Sequence, residues 1–248
     1  MKISAVIITK NEESNIKRCL DALQKVADEI IVIDAMSTDK TEAMCRQYPN
    51  MNFVSRTWTG YAASKNYGNS LAQNPYILSI DADEVLSDKL RLEILENKFL
   101  LRGAYSMPRL NHIGQKAIQF SGWYPDTKIR LFPKETAQWT GDFVHEKLVY
   151  QGEVQRLKND LLHYTYSSFD QFDKKMRLYA ALSGQEMFAE GKRLGFILMV
   201  LKVIFKFISV YLLKRGILDG REGFVIALES AKSIYWKYGV LQGLKDKV

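Results

Sequence analysis

Within the first 80 residues, four short apolar runs alternate with stretches of helical periodicity. This alternation restricts the fold more than any other feature of the chain. Residues 3–8, 29–33, 52–55 and 76–80 read as strands. Between them, residues 15–23 set Ile16, Cys19, Leu20 and Leu23 at helical spacing, and residues 41–48 and 62–72 read as helices. Strands as apolar as Ile3 to Ile8 are buried on both faces, as in a parallel sheet covered by helices. The same run is too short for the core of a signal peptide and lacks a cleavage site, so it reads as the first strand. The expected class is α/β, a Rossmann-like, mostly parallel sheet flanked by helices. In such sheets the ligand lies beyond the carboxyl ends of the strands.

From about residue 89 to residue 163 the pattern changes to short β-like pieces, at 105–109 and 128–132, with aromatic and Gly/Pro punctuation. Gly122-Trp123-Tyr124-Pro125 and Trp139-Thr140-Gly141 read as loops, and the region suits acceptor binding. Residues 168–248 read as a helical appendage. Within it, residues 194–213 are the most apolar stretch and carry Lys202 and Lys206, four apart and so on one face. Lys214 and Arg215 close it. Twenty apolar residues nearly span a bilayer. Two mid-span lysines, however, would cost about 2.5–3.5 kcal/mol each at a helix centre. A helix lying in the interface, with its lysines towards headgroups, fits better than a span, a core helix or an oligomer contact.

The net charge of +7 favours anionic partners in general, such as nucleotides or phosphorylated lipids. No basic stripe with interleaved aromatics occurs, so no nucleic-acid partner is expected. Cys19 and Cys45 are the only cysteines, no CxxC occurs and the three histidines are scattered. These features exclude a disulfide framework and a structural zinc site and fit a reducing cytosol.

Ser79-Ile80-Asp81-Ala82-Asp83-Glu84 carries the strongest chemical signal. Asp81 and Asp83, at i and i+2, project to one side at the end of a buried strand and would repel each other there. A hard divalent cation, Mg²⁺ or Mn²⁺, resolves the repulsion and bridges to substrate phosphates. The alternative is an acidic helix start. Thr9-Lys10-Asn11-Glu12-Glu13 ends the first strand, and Asp34 with Ser37, Asp39 and Thr41 follows the second. Both segments sit where a nucleotide base and ribose bind in a parallel sheet, and both also serve as helix caps.

Taken together, the opening strand with Asn11-Glu12, Asp34-x-x-Ser37-x-Asp39-x-Thr41, Ala63-Ser64-Lys65-Asn66 and Asp81-x-Asp83 resemble the family 2 glycosyltransferases of the GT-A fold. Lys128-Ile129-Arg130-Leu131-Phe132, Val144-His145-Glu146 and the stretch from Leu213 to Gly220 resemble its branch of bacterial lipopolysaccharide inner-core β-glucosyltransferases. Met36 departs from the family, which often has glycine or another small residue there. The resemblance implies a GT-A catalytic domain at 1–165, with a nucleotide-sugar-binding half at 1–88 and an acceptor-binding half at 89–165. Residues 166–248 would form a helical, membrane-associated region.

It also implies roles. Thr9, Asn11, Glu12 and Asp34 would hold the base, and Lys65 the base or diphosphate. Asp81, Ala82 and Asp83 would hold ribose and metal. Inversion needs a general base: Glu146, favoured by the His145-Glu146 match, or Asp142. Arg130 and His145 would contact phosphate. The implied reaction is transfer of a sugar, glucose on the family's pattern, from a UDP-sugar to a lipid-linked saccharide. It would take place on the inner face of the cytoplasmic membrane, with the enzyme bound peripherally. Two alternatives are a nucleotidyltransferase, whose glycine-rich phosphate loop is missing, and a non-catalytic nucleotide-binding protein at a membrane.

Overall fold

The computed structural model describes residues 1–49, 51–141, 146–192 and 195–245. The elements of the first part are β1 (Ile3–Thr9), α1 (Ile16–Leu23), β2 (Glu29–Asp34), α2 (Thr41–Cys45), β3 (Met51–Ser55), α3 (Tyr61–Leu71) and β4 (Tyr76–Asp81). Then come β5 (Glu84–Leu86), α4 (Asp88–Asn97), β6 (Ala104–Ile113), β7 (Lys116–Ala117), β8 (Asp126–Pro133) and β9 (Ala137–Thr140). The chain continues through β10 (Lys147–Tyr150), β11 (Val154–Arg156), β12 (Leu161–Tyr166) and the helices α5 (Phe169–Ala189), α6 (Phe196–Ile208) and α7 (Arg221–Lys245). Two compact units result: residues 1–109 with 126–164, and residues 110–125 with 165–248.

The main sheet runs β3-β2-β1-β4-β8-β6-β12-β5. β1, β2, β3 and β4 are mutually parallel, and β8 pairs antiparallel with β4. Side-chain alternation explains why the first strands are apolar throughout. Ile3, Ala5 and Ile7 of β1, Ile30 and Val32 of β2, and Leu78 and Ile80 of β4 enter one core with Ile16, Cys19, Leu20 and Leu23 of α1. Their neighbours Val6, Ile8, Ile31, Ile33 and Ile77 enter a second core, on the side of Ala62 in α3. The helical stripe anticipated on α1 is therefore the buried one. This is the α/β architecture expected from the sequence, a sheet with a parallel half flanked by helices, followed by a helical region.

Two local readings change. Trp139-Thr140, read as loop, belongs to β9, which pairs antiparallel with β10 and buries Trp139. Residues 88–97, read within a β-like region, form α4. Ser87 caps it by accepting from the Leu90 N–H at 3.1 Å.

The second unit buries Ile113, Ile118, Phe172, Val210, Ile226 and Ala227 together, with Trp123, Tyr166 and Tyr211 against them. Asp219, 4% exposed, accepts from the backbone N–H of Gln119 (3.0 Å) and Phe120 (3.1 Å) and from the Ser121 hydroxyl (2.7 Å). That is one structural use of the Leu213 to Gly220 stretch.

α3 lies against β1 and β2 at Gly68, where a Cβ would collide with Val6 Cγ1 and lie 3.1 Å from Ile33 Cγ1. Both are short, β-branched side chains with little room to move. Alanine would gain about 1 kcal/mol of helix propensity over glycine. Overpacking costs about 1–3 kcal/mol and should exceed that gain. Gly68→Ala is expected to lower the urea midpoint at unchanged slope; a raised midpoint would contradict the close packing of α3.

Candidate active site

Three loops meet at the carboxyl edge of the parallel strands. Thr9 of β1 lies in register with Asp34 of β2, and Ile8 with Asp81 of β4. The first two loops are joined by side-chain to backbone hydrogen bonds. The Asn11 N–H donates to Ser37 Oγ, the Thr38 N–H to Asn11 Oδ1 and the Glu12 N–H to Thr41 Oγ1, each at 2.8 Å. The Glu13 N–H donates to Asp39 at 3.1 Å. Asp34 is 1% exposed and accepts from the Ser37 N–H (2.9 Å) and the Ser55 hydroxyl (3.1 Å). The spacing Asp34, Ser37, Asp39, Thr41 thus works first as a clasp between two loops. Asn11 and Met36 both have positive φ, 54° and 56°. Asparagine tolerates this region, whereas methionine is strained where a glycine would not be. The Thr9 hydroxyl is buried with no hydrogen-bond partner among the described residues.

Beyond β4 the chemistry is ionic. Asp81 takes Lys65 Nζ at 3.0 Å on Oδ1 and the Arg130 guanidinium at 2.8 Å on Oδ2. Lys65, on α3, is wholly buried and also reaches Glu146 Oε1 at 3.2 Å. Its ammonium lies 4.5 Å from the centroid of the Trp139 ring, a cation–π contact. Asn66 fixes that tryptophan, donating to its carbonyl (2.7 Å) and accepting from its N–H (3.0 Å). Glu84, with a fully buried side chain, accepts from Arg130 (2.6 Å) and Arg109 (3.0 Å) on Oε1 and from the Asp81 N–H (3.1 Å) on Oε2. Arg109 continues to Asp126, its Nε at 2.9 Å.

Desolvation alone would raise the Asp81 carboxyl. The adjacent Lys65 and Arg130 charges overcome it and hold the group well below the usual carboxylate range. Asp81, Arg109, Lys128, Arg130, Trp139 and Glu146 line a cavity of about 530 Å³.

Asp83 stands apart from this cluster. Its Oδ2 lies 3.2 Å from His163 Nε2 on β12, and its carbonyl accepts from the Tyr164 N–H at 2.9 Å. The Arg18 guanidinium sits 3.4 Å above the Tyr164 ring. Burial raises the Glu12 carboxyl; the Asn15 hydrogen bond opposes this, and the Asp83 and Asp39 charges add to it. The Asp83 carboxylate and the His163 imidazole are two groups that could serve as ligands to a divalent cation. Among the described residues no three His, Cys, Asp or Glu side chains converge as metal ligands, so substrate oxygens would have to complete the shell. Asp81 faces Lys65 through Oδ1 and Arg130 through Oδ2.

The structure therefore brings Lys65, Asp81, Arg130 and Glu146 around one cavity and leaves Thr9, Asn11, Glu12, Asp34, Ala82 and Asp83 along the strand edge. Asp142 and His145 lie outside the described residues. Sequence reasoning missed Glu84, Arg109, Trp139 and His163. The available signal was a charged residue inside a strand pattern, as at Arg109 and His163.

Removing Arg130 would leave buried Glu84 with Arg109 as its one remaining cation among the described residues and take a cation from Asp81 as well. Breaking a buried pair from one side costs about 3–5 kcal/mol. Arg130→Ala is expected to lose stability on that scale in urea unfolding. Asp81→Asn should show a pH signature. A carboxylate whose folded value is depressed contributes stability above its unfolded value and loses it as pH falls through the folded one. The deficit of Asp81→Asn should hold from neutral pH down to about 4, near the unperturbed value, and narrow only below. A deficit that vanishes by pH 6 would contradict the Lys65–Asp81–Arg130 arrangement.

Comparison with known proteins identifies the family. The model of glycosyl transferase family 2 matches residues 4–168. An uncharacterized glycosyltransferase of Rickettsia felis is 31% identical over 242 residues, covering 90% of this chain and 83% of the relative. A lipopolysaccharide core biosynthesis glycosyltransferase, LpsC, of Rhizobium meliloti is 26% identical, covering 97% and 94%. The crystal structure of S. aureus TarS 1-349 in complex with UDP aligns with a TM-score of 0.48 at 14% identity, covering 100% and 92%. By the extent of the family match and by a relative 31% identical over most of both chains, the chain belongs to glycosyl transferase family 2.

Proposed function

We propose that this glycosyltransferase moves a sugar, glucose on the family's pattern, from a UDP-sugar to a lipid-linked saccharide of the lipopolysaccharide inner-core kind, with inversion. The observation that carries the reading is the placing of Glu146 in the same cavity as Asp81, one lysine away from it. A carboxylate facing open volume beside the strand ends is the group that inversion requires. The wide match to the Rhizobium relative supports the acceptor class.

In this reading Glu146 accepts the proton of the acceptor hydroxyl as its oxygen attacks the anomeric carbon, and the bond to the diphosphate breaks on the opposite face. Lys65 and Asn66 hold Glu146 and Trp139 in position. Arg130, through Asp81 and Glu84, fixes the cavity wall and sets a guanidinium near a phosphate site. The clasp formed by Asn11, Glu12, Asp34 and Ser37 frames the base pocket, with Thr9 at its floor. Asp83 and His163 would hold a divalent cation, which when bound neutralises the charge growing on the leaving diphosphate. An imidazole in that set favours Mn²⁺ over Mg²⁺, which prefers oxygen ligands. The domain roles follow: residues 1–88 for the donor, 89–165 for the acceptor, and 166–248 for association with the inner face of the cytoplasmic membrane.

Two experiments test the assignment. Glu146→Gln should cut turnover by about 10²–10⁴-fold, the span of a lost general base, with donor affinity little changed. Near-full activity of Glu146→Gln with a dead Asp142→Asn would move the base. UDP release from UDP-glucose should stop in excess EDTA and recover with Mn²⁺. Asp83→Ala should bind Mn²⁺ in the presence of UDP far more weakly by calorimetry. Full turnover in EDTA would remove the metal from the mechanism.

A further inference from the structure

The helical unit has an uncovered apolar face that the catalytic chemistry does not use. Among the described residues one segment, Phe196–Leu213, is long and apolar enough to cross a membrane; its mean hydropathy is 2.3 and only 11% of it is buried. Ile197 (76% exposed), Leu201 (57%), Ile204 (52%) and Ile208 line one side of α6, with Phe205 (64%) and Leu198 beside them. The helix is continued by a π-helical turn over Ser209–Leu213, where Leu212 and Leu213 are also exposed.

The lysines lie elsewhere. Met199 and Val210 are the buried positions of this segment, and Lys202 and Lys206 fall on the same side as those two. Lys202 Nζ donates to the Tyr238 hydroxyl of α7 at 3.1 Å. Burial, with Lys214 and Lys237 nearby, lowers the Lys206 ammonium from its usual value. The Ile197–Leu201–Ile204–Ile208 side is thus free of charge, while Lys202, still exposed, and half-buried Lys206 lie on the side towards α7, with Lys214 and Arg215 just past the end.

We propose that α6 lies in the plane of the membrane as a one-leaflet anchor, its Ile197–Leu201–Ile204–Ile208 face sunk among the acyl chains and its cations at the level of anionic phospholipid headgroups. This deepens the lipid-linked acceptor reading and rests on it for its biological sense, but the physical argument is independent of it. Charge selects the occupant. From Phe196 to Arg215 the charged residues are Lys202, Lys206, Lys214 and Arg215, all positive, while Lys192 ahead of the helix is paired with Glu190 at 2.5 Å. A second copy packed on this face would bring Lys202, Lys206, Lys214 and Arg215 towards their like, whereas anionic headgroups supply the complement. A span is disfavoured because α6 is held along α7 through Met199 and the Lys202–Tyr238 bond. α7 carries Glu222, Glu229, Lys232 and Lys237 and cannot follow it into hydrocarbon.

The test is flotation of the full chain with phosphatidylcholine vesicles and with phosphatidylethanolamine/phosphatidylglycerol vesicles. Binding to both is expected, tighter to the anionic ones. High salt should remove the anionic preference but leave the apolar component. Ile204→Asp, at an exposed position, should weaken partition about tenfold, or about 1.4 kcal/mol, at an unchanged melting temperature. Ile204→Trp should show a lipid-dependent blue shift, relative to the parent chain, and be quenched most by shallow spin-labelled lipids. Three outcomes overturn the proposal: no flotation with either vesicle, deepest quenching at the bilayer centre, or a concentration-dependent dimer that shifts the fluorescence of the Ile204→Trp variant without lipid. UDP release from UDP-glucose, assayed on the same protein without vesicles, reports separately on the catalytic reading. Active protein that does not float would sink the anchor alone, and floating protein without UDP release would sink the UDP-glucose donor reading alone.

Discussion

Glu84 has a fully buried side chain and yet is a carboxylate, and much of the catalytic unit is arranged around meeting that demand. Moving a charge out of water costs several kcal/mol even after relaxation, so a buried acid persists only where partners saturate it. Arg130 from β8 and Arg109 from β6 supply the guanidinium groups, and the Asp81 N–H fills the second oxygen. Asp81, Glu84, Asp126 and Glu146 are four carboxylates; Lys65, Arg109, Lys128 and Arg130 are the four cations that answer them. Charge balance of this kind is local and geometric. It binds together β4, β5, β6, β8, α3 and Glu146, which are spread over more than eighty residues of sequence.

That network bears on function because its two ends have different chemistry. At one end Asp81 closes the parallel strand whose neighbours bear the clasp of Asn11, Ser37 and Asp34. At the other, Glu146 faces the cavity. Lys65 touches both. A displacement of Glu146 cannot occur without disturbing a buried ammonium and, through it, the end of β4 at Asp81. If the proposed roles hold, preorganisation of this type would keep the reacting groups in place without reorganising them during the reaction, which is where much of an enzyme's electrostatic effect resides.

Much of the parallel half was legible in the sequence because its signals are short-range. Alternating apolar strands, the Ile16-Cys19-Leu20-Leu23 stripe and the carboxylates after the fourth strand each lie within a few residues of one another. α4 was not legible, since only Leu90 and Ile94 are buried in it while Leu92 is exposed, too thin a stripe to outvote its charges. Trp139-Thr140 escaped because a four-residue strand carries only two periods, and its partner begins only at Lys147. The pairings of Glu84 with Arg109 and Arg130, 25 and 46 residues away, have no local signature at all. His163 is similar: nothing near it in sequence indicates that β12 will deliver its ring to Asp83.

The lysines of α6 show the same limit from another side. A spacing of four puts Lys202 and Lys206 on one face, but it does not say which way the face turns. That depends on Tyr238, on a helix more than thirty residues later, which takes the Lys202 ammonium and so turns the uncharged side outward. Helical periodicity establishes amphipathicity; tertiary contact establishes its direction. For this chain the direction matters, because an outward basic face would make any membrane contact electrostatic and salt-labile. An outward apolar face bordered by inward cations instead makes burial of hydrocarbon the larger contribution, with headgroup attraction adding orientation.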